Sequence, residues 1–444
     1  MTHMLITSLN YWPEETGIAP YSTAVAEHLA SVGYRVTVVA GMPHYPRWRV
    51  DAGYRGRGAR VERHNGVEIR RRAHYVPSRQ SALRRAAYEA SSLALALEAA
   101  QVEHPDAVVG IVPSLSGGIA ARVAATRFRV PYSIVFQDLM GPGAAQSGLT
   151  GGRGAALVRE AEAWVAGRAS VVGIVAEGFR PYVESLGVAP ERVRRLRNWD
   201  RSEPPAVARE TIRAEMGWPA DAIVCLHAGN MGAKQGLENV IEAARIAQAS
   251  GSPLLFILMG DGNRRRELQQ LAWRYRLANV RFVPLQPGER FSSVLAAADV
   301  LLVNQLPSVS DMSLPSKLSA YFGSGRPVVA ACAADSETAR EVTDSGAGLL
   351  VPAASPARLL EGIMRVASDP GLAAHLAWRG LTWRHNALSA EQALRAYEQF
   401  VAQTLSAGSH GRVHTPYRAP LRATARPSRA AAAVPDERDR RRAA

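Results

Sequence analysis

Two lysines stand in a chain of 444 residues that otherwise carries its positive charge on 51 arginines. Lys234 lies in the run Gly229-Asn230-Met231-Gly232-Ala233-Lys234-Gln235-Gly236, and Lys317 in Leu314-Pro315-Ser316-Lys317-Leu318. An ammonium is a compact point charge, better suited to reaching a phosphate than the planar fork of arginine. Both neighbourhoods add backbone donors. Gly229, Gly232 and Gly236 let a main chain come close to a ligand. In the second run Ser313 or Ser316 can cap a helix whose first turn accommodates Pro315, leaving free N–H groups at its positive end. A cation at Lys317 is unfavourable in that turn unless an anion is held beside it. Together the lysines point to one shared diphosphate; the plainer alternative is chance survival of two lysines. A nucleotide-triphosphate P-loop is excluded, because no Gly-Lys-Ser/Thr closes the glycine run.

Other residues carry two readings each. Gly260 and Asp261, in Met259-Gly260-Asp261-Gly262-Asn263, either contact a ligand or build a tight turn. Glu337 either complements the dipole of the helix it opens or contacts a donor molecule. Asp138 follows a buried strand and can serve as a base, a hydrogen-bond acceptor or a cap. Gly17 stands where a loop meets a helix N-terminus, and His44 between Pro43 and Pro46 reads as a loop residue. No His, Cys and acidic side chains have metal-ligand spacing, so no metal site is expected. No Gly-x-Ser-x-Gly elbow occurs in a strand–turn–helix setting, which argues against a serine nucleophile.

These residues sit at the ends of strands in two successive βα series. The first has strands expected at 4–8, 35–40, 67–72, 107–112, 132–136, 170–175 and 193–196. Helices are expected between them at 21–31, 81–103, 114–126, 155–167 and 178–186, with a long basic loop at 42–60. The second has strands at 223–227, 254–259, 280–282, 300–303, 328–331 and 348–351, alternating with helices. Alternating βα units read as parallel, doubly wound sheets that keep chemistry at the carboxyl ends of their strands. The expected fold class is therefore α/β, two Rossmann-like domains facing a cleft. Residues 1–201 form the N-terminal domain, 202–207 a linker with Pro204 and Pro205, and 208–388 the C-terminal domain. A last helix at 389–405 can return to the N-terminal domain, and 406–444 reads as a disordered basic tail. A dinucleotide fingerprint is rejected, since the first loop has one glycine where three are needed.

The formal charge of +14 is concentrated. Residues 47–72 hold nine arginines against three acids, and residues 411–444 hold nine against three. Nucleic acid is not the expected partner, because no recognition motif accompanies the arginines. An anionic membrane surface fits Arg47, Trp48, Arg49 and Tyr54, which mix cations with interfacial aromatics; solvated loops are the alternative. Cys225 and Cys332 lie in apolar strands and suggest buried thiols in a reducing compartment. No apolar run approaches the ~18–20 residues of a membrane span, and no signal peptide is read at the start. The expectation is a cytoplasmic protein, peripheral at the inner face of the cell membrane.

The order of these motifs resembles the retaining glycosyltransferases of family 4, which have the GT-B fold. It resembles in particular bacterial transferases of fucose-type or N-acetylfucosamine-type sugars in colanic acid and capsule synthesis. The matching pieces are Tyr11-Trp12-Pro13-Glu14 with Gly17-Ile18-Ala19, Glu177-Gly178-Phe179, and Asn198-Trp199-Asp200. They continue with the Gly229–Glu238 run, Gly260-Asp261-Gly262, and Leu314-Pro315-Ser316-Lys317-Leu318 before Gly325-Arg326-Pro327-Val328-Val329. The resemblance implies a UDP- or GDP-linked sugar as co-substrate, held by the C-terminal domain, with a glycan or lipid-linked acceptor on the N-terminal domain. It places Asn230, Gly232 and Lys234 near the diphosphate, Ser316 and Lys317 near the phosphates or ribose, and Glu337 near the donor sugar or ribose. Gly17 would approach the diphosphate from the other domain. No cofactor, metal or enzymic nucleophile is implied, because the leaving phosphate takes the acceptor proton on the same face while lysines stabilise its charge.

The chain departs from the family pattern where two glutamates eight residues apart usually stand: Met312 and Ala320 occupy those places. Gln137-Asp138 also replaces a usual histidine. Two rivals follow, a nucleotide-sugar epimerase of the same fold and a catalytically weak sugar- or lipid-binding member.

Overall fold

A computed structural model describes residues 1–56, 58–79, 81–142, 151–309 and 317–408. Its N-terminal sheet is built from β1 (His3–Ser8), β2 (Arg35–Gly41), β3 (Ala59–His64), β4 (Val67–Arg72), β5 (Ala107–Val112), β6 (Tyr132–Phe136), β7 (Val172–Ile174) and β8 (Val193–Arg195). The strand order is β3-β4-β2-β1-β5-β6-β7-β8, parallel except for the β3–β4 hairpin. All six residues of β1 and of β5 are buried, as expected of strands covered by helices on both faces.

The C-terminal sheet comprises β9 (Ile223–Ala228), β10 (Leu254–Met259), β11 (Val280–Val283), β12 (Val300–Asn304), β13 (Val328–Cys332) and β14 (Gly348–Pro352). Its order is β11-β10-β9-β12-β13-β14, all parallel. In both sheets the winding reverses once, between β1 and β5 and between β9 and β12. Crevices open beyond the carboxyl ends of strands at such reversals. The segments after β9 and β12 are those that carry Lys234 and Lys317.

Three expectations need correction. The loop read over 42–60 ends in a strand, β3, whose exposed and half-buried residues alternate along an edge and lack the apolar signature of a core strand. Its hairpin turn is Asn65-Gly66, both at positive φ, a pairing that signals such turns. The helix read over 81–103 is two, Ala82–Ser92 and Ala94–Ala99, joined through Leu93. A helix at Pro370–Ala387 was not anticipated, although Asp369 caps it and Pro370 opens it.

The chain crosses between domains twice, side by side. The Asp200 N–H donates to the Leu388 carbonyl at 2.9 Å, and Arg384 Nε donates to Asp200 Oδ2 at 2.5 Å. After the second crossing, helix Ala390–Gly408 packs Ala393, Tyr397, Phe400 and Val401 into the N-terminal core beside Met4, Ile6 and Val109. No helix among the described residues is long and apolar enough to cross a membrane.

Candidate functional site

On the C-terminal side the cleft is built around the turn after β9. Gly229 has φ +124° and Gly260 +134°, conformations that L side chains rarely adopt. The two loops lie back to back: a Cβ on Gly260 would fall 2.0 Å from the Gly229 carbonyl oxygen. The Met231 N–H donates to the Asp261 carbonyl at 2.7 Å, while the Asp261 side chain accepts from the Gly262 N–H at 2.8 Å. Gly260 and Asp261 therefore shape and brace the neighbouring glycine loop. Asn230 turns into the same loop, its amide nitrogen 2.9 Å from where a Cβ on Gly232 would sit.

Lys317 lies on the helix described over Lys317–Gly323. Its Nζ lies 3.8 Å from the position of a Cβ on Gly229, at the root of the loop that carries Lys234. The ammonium is buried and has no hydrogen-bond partner among the described residues. Burial pushes it down to about 8. His227 is fully buried on β9; burial first and the Lys317 charge second hold its imidazole well below the ordinary range, opposed by the backbone of Asn230 and Leu302. Lys234 is exposed farther along the loop. Ser316 lies outside the described residues, as do Ser313, Pro315 and Met312.

On the N-terminal side, Gly17 has φ +67° and is exposed ahead of helix Ala19–Ser31, whose start has no side-chain cap. Glu14 fixes the opposing loop: its Oε1 accepts from the His44 N–H at 2.7 Å and the Tyr45 N–H at 2.9 Å. Tyr45 reaches Gly17, where a Cβ would meet its ring at 3.2 Å. Asp138 follows β6 and is exposed as a residue. The surrounding walls raise its carboxyl, opposed by the Leu139 N–H and by the charges of Lys234 and Arg85. The Lys234 charge, on the other domain, is thus felt at Asp138.

Residues 16–199 match the model of the glycosyl transferase 4-like domain, and residues 208–382 that of glycosyl transferases group 1. The putative colanic acid biosynthesis glycosyl transferase WcaI of Escherichia coli K12 is 30% identical over 410 residues, covering 89% of this chain and 96% of that protein. The chain belongs to the family 4 glycosyltransferases. Its fold is GT-B, shared with sucrose-phosphate synthase from Thermosynechococcus elongatus at a TM-score of 0.68 and 19% identity, over 92% of this chain and all of that one. The HepE protein of Anabaena in complex with UDP-glucose aligns over the same shares at a TM-score of 0.61 and 17% identity.

Glu337 of the glycosyltransferase lies in a contact between domains. Its buried carboxylate accepts from the Glu177 and Gly178 N–H groups at 3.1 and 2.9 Å, from Arg195 at 3.3 Å and from Arg340 at 2.9 Å. Glu341, one turn on, takes Arg195, Arg197 and the Trp383 indole N–H. Helix Glu337–Ser345 thereby ties the C-terminal domain to the end of the N-terminal sheet, and the Glu337 oxygens are spent there.

Several residues that position the cleft escaped the sequence reading. Asn304, at the end of β12, donates to the Gln235 and Gly236 carbonyls at 2.7 and 2.8 Å and holds the lysine loop from the other side of the winding reversal. The Tyr321 hydroxyl accepts from the Ala228 N–H at 2.7 Å and fixes the end of β9. Glu162, fully buried, accepts from the Met140 and Gly141 N–H groups and the Tyr182 hydroxyl, and so sets the turn that carries Asp138. Gln137 binds Asn198, at 2.8 Å, rather than the cleft. An asparagine ending an apolar strand was a usable signal for Asn304; nothing local marks Glu162 among other helical glutamates.

Proposed function

We propose that this glycosyltransferase moves a sugar, with retention, from a nucleoside diphosphate sugar to a glycan or lipid-linked acceptor in cell-surface polysaccharide assembly. The observation that carries the reading is the Lys317 ammonium, buried with no partner among the described residues, at the root of a glycine loop that holds a second lysine. A buried charge left unpaired is costly, and a diphosphate is the anion that both ammoniums and the loop amides can reach together. The HepE complex with UDP-glucose supports a UDP-linked donor, and the WcaI likeness supports a role in colanic-type polysaccharide assembly.

In this reading Lys234, Lys317 and the N–H groups near Asn230 and Gly232 stabilise negative charge as the glycosidic bond to phosphate breaks. The acceptor hydroxyl attacks from the side of the departing phosphate, which takes its proton. Asp138, across the cleft, orients that hydroxyl. The chemistry needs no metal. Calorimetric titration with UDP and with UDP-hexoses and 6-deoxyhexoses tests the proposal. Wild-type binding should weaken about ten- to a hundredfold in Lys317→Ala, the worth of one charge-assisted contact. Equal affinity in both proteins would refute the assigned site.

A further inference from the structure

The helices Ala82–Ser92 and Ala94–Ala99, which follow β4, carry apolar residues on two faces. Tyr88, Ser92, Leu95 and Ala99 face inward and are buried. The opposite side presents Leu83, Ala86, Ala87, Ala90, Leu93 and Leu97, spaced three or four residues apart and all exposed. Leu83 is 81% exposed and Leu97 61%. Leu93 keeps a helical backbone between the two segments, so the stripe is continuous. Scattered exposed leucines need no explanation, but a continuous apolar helix face does.

Its surroundings are cationic. Arg85 lies over the rings of Trp48, at 5.7 Å, and Tyr88, at 5.0 Å, which brings the loop of Arg47 and Arg49 alongside the helix. Arg79 and Arg84 flank its start. Arg49, Arg79 and Arg84 are exposed and have no ion-pair partner among the described residues. The nearby acids are engaged, Asp51 with Arg47 at 2.8 Å and Glu89 with Arg85 at 2.9 Å.

We propose that this face docks the glycosyltransferase on an anionic lipid bilayer, leucines at the acyl boundary and arginines on the headgroup phosphates. A second copy of the chain is a poorer occupant, because it would bring the same unpaired arginines against these. The same loop reaches Gly17 through Tyr45, so the docked bilayer lies beside the N-terminal wall of the cleft. The acceptor is accordingly a lipid-linked glycan, a step that rests on the transferase reading above.

Sedimentation of the full chain with phosphatidylcholine vesicles, with and without phosphatidylglycerol, tests the docking. Wild type should sediment with the anionic vesicles. Leu83→Glu/Leu93→Glu/Leu97→Glu and Arg49→Glu/Arg84→Glu should each weaken that binding about tenfold or more. Both variants should keep the wild-type thermal shift with UDP, which shows that they remain folded. Unchanged sedimentation of both variants would overturn the proposal. So would self-association of wild type, abolished by the leucine variant, without vesicle binding; the face would then belong to a second copy. Vesicle binding by a wild type that shows no UDP shift would leave the docking standing and defeat the donor reading alone.

Discussion

Replacing Lys317 by methionine should make the nucleotide-free protein more stable while weakening its response to nucleotide. Burial moves the ammonium from 10.5 to about 8 with no anion beside it among the described residues. A displacement of that size corresponds to about 3 kcal/mol of cost to the folded state at neutral pH. Methionine keeps the length and apolar stem of the side chain and removes the charge, a kind of exchange that is often neutral or stabilising. In a domain of this size the relief is an upswing of up to roughly 10 °C in the C-terminal domain's melting temperature. The sign with pH follows from the protons. Between about 8 and 10.5 the unfolded chain keeps a proton on Lys317 that the folded chain has lost, so wild-type stability from this group rises with pH across that window. Below about 8 both forms are protonated and the deficit is constant; above 10.5 it is gone. Scanning calorimetry of wild type and Lys317→Met at pH 7 and pH 10, with and without UDP, reads both effects. The variant should melt higher at pH 7, the gap should close toward pH 10, and a given UDP concentration should shift wild type more than the variant. A variant that melts lower than wild type at pH 7 without nucleotide would show that the ammonium has an internal partner, and the reasoning would fail.

Lys234→Ala should leave the melting temperature within about 1 °C, because the side chain is exposed, yet weaken UDP binding about tenfold in calorimetric titration. UDP affinity of wild type should fall above pH 8 as Lys317 loses its proton, by about ten- to a hundredfold in all, and Lys317→Met should show no such fall. Gly260→Ala should cost more than about 2 kcal/mol in denaturant unfolding, since the new methyl would collide with the Gly229 carbonyl at a backbone angle that disfavours it. Glu341→Leu should cost about 3 kcal/mol by leaving Arg195 and Arg197 short of their shared carboxylate, and calorimetry should show the two domains melting farther apart.

The alternation of short apolar runs with helical periodicity determined, from sequence alone, that the chain makes two parallel α/β domains. The buried strands are continuous Val, Ile, Leu and Ala because helices cover both faces, and that pattern is local. The rarity of lysine beside glycine- and serine-rich turns likewise marked Lys234 and Lys317 without any coordinates. Edge strand β3 was harder to read, because an edge needs little apolar surface and its Asn65-Gly66 turn was the clearest local sign. What the tertiary structure alone decided were relations between distant residues. Glu337 reads locally as a helix-start carboxylate, but amides and an arginine about 140 to 160 residues away consume its oxygens. Gly260 reads as a turn glycine, but the approach of a second loop is what makes its missing side chain necessary. Burial of the Lys317 tip, and with it the cost that an anion would relieve, arises from the packing of β9 and its neighbours. Charge in a low-dielectric site depends on everything around it, which no stretch of sequence carries by itself.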